Sequence, residues 1–482
     1  MKPAPPARDL PHAPGGLPRS GWILASGVLA SAAGWALERY AGAPREAALM
    51  GGIFVGIAGL WAAEALPLFA TALLAIGLQV VLLANPAGWP GLGFTGAAGP
   101  SVREVLAPAA DPILLLFLGG LVLTRAAARE GVDRALAGWL LRPFGTRPRQ
   151  ALLGVMLVTL TASMWMSNTA TTAMMLAIVA PMLAAMPPAE PFRKALLLGV
   201  PLAANLGGMA TPIGSPPNAL ASSHLQQAGL VVGFLPWMAV AVPLAVGLAA
   251  LTWLLLVRWH APADPALRLI SARAPLTRRG GVVATIFAVT AGLWITEGWH
   301  GLPAPVVALV PLLTLPALGF FTREDLAQLD WSVLILITGG LALGAGLART
   351  GLGQLAAGWL PAGETGDGWA LLTAAVLATV VLGTFISNTA AASLVLPVAA
   401  SASAEFGPAS DLSVVHLALS VALSASVSMA LPMSTPPNAM AYAQNGFTTR
   451  ELARVALVVS ALAVGLILGG GRWMLQLWAI VP

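Results

Sequence analysis

The chain has 482 residues, of which 58% are hydrophobic and 9% charged, against about 25% charged in a soluble globular domain. Continuous uncharged runs longer than the ~20 residues of a membrane span recur along it, so it reads as an all-α polytopic membrane protein rather than a β-barrel, whose strands would alternate. The net charge of +5 comes from arginines in short loops, a topology signal rather than a nucleic-acid surface, and the lack of cysteine excludes disulfides, thiolate metal sites and a cysteine nucleophile.

Residues 1–21, rich in proline and glycine, read as a flexible cytoplasmic tail without the apolar core of a signal peptide. An extra span, Trp22 to Leu37, lies in segment 22–46. Spans follow at Met50 to Leu66 and Phe69 to Leu83, then a loop from Asn85 to Pro112, then a span from Ile113 to Ala128. Gly131 to Leu141 is expected as an interfacial helix, with Arg142, Arg147 and Arg149 marking the cytoplasmic side. From Gln150 to Ala189 no residue is charged, and Ser167-Asn168-Thr169 sits at the middle of that run. Two helices with a polar tip between them predict a re-entrant hairpin over 150–186, opening to the cytoplasm. The span over 195–228 is interrupted by Gly207 to Asn218, whose three prolines and three glycines cannot continue a helix. Unwound backbone at that depth lines a cavity or lies buried in protein. A basic linker, 260–280, divides the first repeat (47–259) from the second (281–482).

The second half echoes the first. Ser387-Asn388-Thr389 lies 220 residues after the first triplet, Gly351 after Gly131, Gly358-Trp359-Leu360 after Gly138-Trp139-Leu140, and Pro436-Pro437-Asn438 after Pro216-Pro217-Asn218. Gly59-Leu60-Trp61 and Glu64 return as Gly292-Leu293-Trp294 and Glu297 at an offset of 233. The second hairpin is expected over 368–404 and the second broken helix over 412–445. One extra span plus two repeats of five gives about 11 transmembrane helices, with two re-entrant hairpins. An odd repeat inserts the halves upside down, so the second hairpin opens outward, where Asp367, Glu405 and Asp411 flank it. Inverted repeats with broken helices at the midplane are a plan of secondary transporters.

At each tip one helix ends and another begins, so carbonyls and free N–H groups place opposite partial charges side by side. Hydroxyls and the asparagine carbonyl suit an alkali cation, while the amide and threonine hydroxyl donate to a carboxylate. A single such triplet is more often a cap or an interhelical hydrogen bond; the duplication at one offset favours a site. No charged residue lies in either tip or broken helix, so a multivalent anion needs cations bound beside it, a physical reason for symport. Glu64 and Glu297 read as structural or interfacial, Trp139 and Trp359 as interfacial anchors, and Met164, Met166, Met174 and Met175 as lipid-facing or packing residues. The histidines (His12, His224, His260, His300, His416) are scattered and no carboxylate pair sits mid-span, which argues against an intramembrane enzyme.

The two tips and the two broken helices, Thr-Pro-Ile-Gly-Ser-Pro-Pro-Asn and Pro-Met-Ser-Thr-Pro-Pro-Asn, resemble the divalent anion/sodium symporter (DASS) family of dicarboxylate, citrate and sulfate transporters. The resemblance implies a homodimer in the cell membrane whose transport domain shifts as an elevator. It also implies sodium-coupled symport of a dicarboxylate such as succinate, malate or fumarate, with a sodium-independent exchanger or a sulfate symporter as alternatives. A first sodium site would use Ser163, Ser167, Asn168 and a carbonyl near Ala210; a second would use Ser387, Asn388 and a carbonyl near Ala430. Substrate would meet Ser167, Asn168, Thr169, Ser387, Asn388 and Thr389, with Pro216 and Pro432 close by. One departure stands out: the position of Ser163 is Gly383 in the second half, with Thr384 beside it as the substitute hydroxyl.

Overall fold

The computed structural model describes residues 18–84, 99–263, 275–357, 368–403 and 413–470, and every regular element among them is helical. Most of the expected amino-terminal tail, loop and linker, together with Trp359, Asp367, Glu405 and Asp411, lie outside the described residues. Seven helices among the described residues are long and apolar enough to cross a bilayer, and five shorter apolar helices accompany them.

The unpaired first span is α1 (Arg19–Tyr40), which packs along α2 (Arg45–Ala62) and leaves Leu24, Val28 and Leu29 exposed. Such a face suits lipid. Next come α3 (Leu68–Leu82) and α4 (Pro112–Arg129). Asp111 caps α4, one carboxylate oxygen accepting from Ile113 N at 2.9 Å and the other from the Ser223 hydroxyl at 2.7 Å. The short α5 (Val132–Leu141) follows and leaves Trp139 60% exposed, as an interfacial anchor requires.

The first hairpin is α6 (Pro148–Ser163) and α7 (Asn168–Ala184), and the first broken helix is α8 (Phe192–Gly208) and α9 (Pro216–Gln227). Then α10 (Phe234–Trp259), α11 (Arg278–Ile295), α12 (Leu309–Ala317) and α13 (Arg323–Ala327) lead to α14 (Trp331–Thr350). The second half repeats the hairpin as α15 (Gly368–Phe385) and α16 (Asn388–Ser403), and the broken helix as α17 (Val414–Val427) and α18 (Pro436–Tyr442). The last helix is α19 (Thr449–Gly469).

Each hairpin packs on the first arm of its own broken helix: α6 and α7 on α8, α15 and α16 on α17. The second arms cross over. α9 leaves its own half to pack on α16 and α17, and α18 returns to pack on α7 and α8. The two unwound segments are thereby brought together at the centre. Each is tied by the asparagine of its Pro-Pro-Asn. Asn218 Nδ2 donates to the carbonyls of Gly208 at 2.9 Å and Thr211 at 2.7 Å; Asn438 Nδ2 donates to those of Met429 at 2.8 Å and Leu431 at 3.1 Å. Backbone carbonyls freed by the break in the helix thus find partners away from water. Asn205 joins the halves directly, its Nδ2 donating to Thr435 Oγ1 and Asn438 Oδ1, both at 3.1 Å. Met164, Met166, Met174 and Met175 are all buried, so of the two expected roles the described structure gives them packing.

Candidate functional site

Both serines of the triplets act as helix caps. Ser167 is extended (φ −60°, ψ 140°) and its Oγ accepts from Ala170 N at 3.2 Å; Ser387 Oγ accepts from Ala390 N at the same distance. This is the modest role that a lone triplet would have. Its consequence is that Asn168-Thr169 and Asn388-Thr389 occupy first helical turns, where N–H groups have no partner within the helix.

The tips meet across one cavity of about 250 Å³, lined by Ser167, Asn168, Thr169, Ser387, Asn388 and Thr389 together with Asn205, Gly214, Ser215, Pro216, Thr435, Pro436 and Pro437. Helices of 17, 12 and 16 residues (α7, α9 and α16) start at its wall, as does the short α18. A helix start carries roughly half a positive charge, so several converging starts favour an anion without any arginine or lysine. Charge enters this lining, among the described residues, only at Asp330, just before α14, which the motifs did not bring to the site. The volume lies below the ~300–1,000 Å³ of pockets for drug-sized ligands and suits a small metabolite. A larger cavity of about 560 Å³ between α5, α6 and α11 contains neither triplet and is lined mainly by alkyl and aromatic groups. Its charged lining is Asp133 and Arg142.

Behind the first tip, oxygens gather around Asn168. The buried Ser163 hydroxyl lies 2.7 Å from Asn168 Oδ1 and 2.8 Å from the Ala204 carbonyl, with one proton to give to the two acceptors. If the amide turns its nitrogen inward, Nδ2 donates to Ser163 Oγ at 2.7 Å and to the Gly214 and Ala204 carbonyls at 3.3 Å. With its oxygen inward, four oxygens converge without enough protons, the arrangement a small cation satisfies. Gly208 makes the close approach possible, since a Cβ there would lie 2.3 Å from Asn168 Oδ1. The unwound segment is held to the tip where the Thr211 hydroxyl donates to the Met164 carbonyl. Ala210 is fully buried in this segment; the oxygens gathered at Asn168 are those of Ala204 and Gly214.

The second tip differs. Asn388 and Thr389 are buried, whereas Ser167 and Thr169 are exposed. The Thr384 hydroxyl donates to the Val380 carbonyl of its own helix at 2.7 Å. A Cβ on Gly383 would lie 2.2 Å from Ser428 Oγ. Pro432 does not line the cavity and Ala430 is buried nearby in sequence, in the second unwound segment. The broken-helix motifs contain Ser215 and Thr435 without giving either a role, and Asn205 and Ser428 lie outside the residues the motifs assigned. Asn205 Oδ1 and Ser215 Oγ are buried at the cavity without a hydrogen-bond partner among the described residues. Carrying the 220-residue offset to Gly208 would have pointed to Ser428.

A family described as citrate transporter matches residues 58–411 and 291–481. The chain belongs to that citrate transporter family. Two curated relatives and one solved structure span its range. The inorganic phosphate transporter PHO87 of Saccharomyces cerevisiae is 32% identical over 70% of this chain and 37% of its own length. The sodium-dependent dicarboxylate transporter SdcS of Staphylococcus saprophyticus is 28% identical over 86% of this chain and 83% of its own. The chain spans less than half the length of the first yeast relatives it matches. The crystal structure of the YdaH transporter of Alcanivorax borkumensis aligns with a TM-score of 0.56 at 17% identity, covering 86% of this chain and 97% of that one. It shares the fold. Membership in a transporter family sets aside the intramembrane enzyme, and the resemblance to divalent anion/sodium symporters stands with these relatives.

Proposed function

We propose that this citrate-transporter-family protein is a secondary transporter that couples sodium to the uptake of a small divalent anion, a four-carbon dicarboxylate before others. The observation that carries this reading is the single cavity faced by both Ser-Asn-Thr tips, with an oxygen cluster behind the first. Helix starts hold the carboxylates; sodium at the oxygen cluster offsets their charge and that of Asp330. The protein works as a homodimer in the cell membrane, amino terminus inside, its hairpins and broken helices moving as an elevator while α1 to α4 stay with the scaffold. The sodium-dependent dicarboxylate relative supports this choice of substrate.

A second reading, phosphate as the anion, is favoured by the similarity to a yeast phosphate transporter. The test is uptake into proteoliposomes. Labelled succinate should accumulate under an inward sodium gradient and be displaced by malate and fumarate. Uptake that is unchanged when choline replaces sodium rejects the coupling, and uptake of phosphate but not succinate selects the second reading.

A further inference from the structure

The two halves place one hydroxyl at equivalent contacts, from opposite sides. At the contact between the hairpin's first arm and the broken helix, the first half has Ser163 facing Gly207, with the Asn168 amide over the adjacent Gly208, and the second has Gly383 facing Ser428. The pairs Ser163/Gly383 and Gly208/Ser428 are both 220 residues apart, so serine and glycine have changed places. Each contact has room for one side chain. A Cβ on Gly208 would collide with the Asn168 amide, and one on Gly383 with Ser428 Oγ, at 2.3 and 2.2 Å.

Ser428 is fully buried and its hydroxyl donates to the Ala425 carbonyl at 2.6 Å, which leaves its lone pairs free to face a cation. This side of α17 carries further buried polar groups, beginning at His416, whose ring packs edge-on against Trp369. His416, Ser420 and Ser424 precede Ser428 at intervals of four, the spacing of one helix face. All three are at most 2% exposed, and Ser420 Oγ, Ser424 Oγ and both His416 ring nitrogens have no hydrogen-bond partner among the described residues. The equivalent file on α8 is Leu196, Val200, Ala204 and Gly208. Buried hydroxyls without partners are costly unless water or an ion meets them.

We propose that Ser428 supplies to a second sodium ion the hydroxyl oxygen that Gly383 denies to the second tip, completing a site with Ser387 and Asn388. The proposal rests on the sodium coupling above. Its test uses the purified full-length protein in detergent, with sodium titrated against choline at constant ionic strength, read by thermal stability and, after reconstitution, by uptake. The wild type should be stabilised by sodium alone, and its uptake should rise with sodium with a Hill coefficient above 1. Ser428→Gly should keep the stability seen in choline and part of the sodium stabilisation, weaken apparent sodium affinity about tenfold or more, and reduce the Hill coefficient to 1. The exchange Gly383→Ser/Ser428→Gly, which transplants the first half's arrangement, should restore both readouts, while Gly383→Ser alone should not. A Ser428→Gly protein that titrates like wild type overturns the proposal. So does a double variant that is as stable as wild type in choline but no better than Ser428→Gly in sodium. Absence of sodium stabilisation and coupling in the wild type itself would instead reject the coupling reading on which it rests.

Discussion

Asn168 is the residue on which the first tip turns. With its nitrogen inward the amide donates to three oxygens; on the sodium coupling proposed above, turning its oxygen inward would exchange those hydrogen bonds for ligation. Asn168→Ala should therefore remove most of the sodium-dependent rise in melting temperature while costing only about 1–3 kcal/mol of stability without sodium. Gly208→Ala tests the same point from the other side. The added methyl would push the amide away, whereas Gly120→Ala, on the same cavity, would meet Ile213 at an ordinary 3.8 Å. Melting curves in sodium and in choline should show the sodium shift lost in the first and kept in the second; equal shifts would show that Asn168 does not ligate the ion.

At the scale of elements, the breaks in α8–α9 and α17–α18 are held by side chains rather than left open. Removing Asn438 strands the Met429 carbonyl and takes an acceptor from Asn205, while the Leu431 carbonyl keeps its bonds from Ser434; removing Asn218 strands the Gly208 carbonyl alone, since the Thr211 carbonyl still accepts from Gly214 N. An unpaired buried backbone group costs about 1–3 kcal/mol. Asn438→Ala should accordingly lower the melting temperature more than Asn218→Ala, and thermal unfolding of the two variants side by side decides it. These elements were largely legible from local chemistry. The helix pairs Pro148–Ser163 with Asn168–Ala184, and Gly368–Phe385 with Asn388–Ser403, flank the two triplets, because a capping serine in an apolar run starts a new helix where it lies. The break also follows from adjacent prolines at Pro216-Pro217 and Pro436-Pro437. The packing of the second arms on the opposite half depends on residues more than a hundred positions away and has no local signal.

Across the whole molecule, the halves are also joined outside the cavity. Asp325 on α13, from the second half, is buried against Arg125 and Arg129 at the end of α4, from the first, with Arg125 Nε at 3.1 Å. Burial raises the Asp325 pKa, but hydrogen bonds from Thr322, Arg129 and Arg125 outweigh it and leave the group below the ordinary carboxylate range. A depressed folded-state value means that the stabilisation is present above the unfolded pKa and is lost as pH falls through the folded one. Wild-type melting temperature should thus fall below about pH 4, and Asp325→Asn should be less stable at neutral pH, with that part of the acid dependence removed. A variant with the wild-type pH profile would show that the cluster does not hold the halves together.

Hydropathy determines that the chain is a set of membrane helices, and the repeated triplets and proline pairs determine where those helices cap and break. Each follows from the solvation or backbone geometry of a few neighbouring residues, which is why it can be read along the chain. The tertiary structure decides which oxygens share a site. Ala204 and Gly214 at Asn168, Asp330 in the lining of the cavity and Ser428 against Gly383 come together only because helices distant in sequence pack against one another. Gly383, which looks in sequence like a missing ligand, is in the packed molecule the gap that admits Ser428.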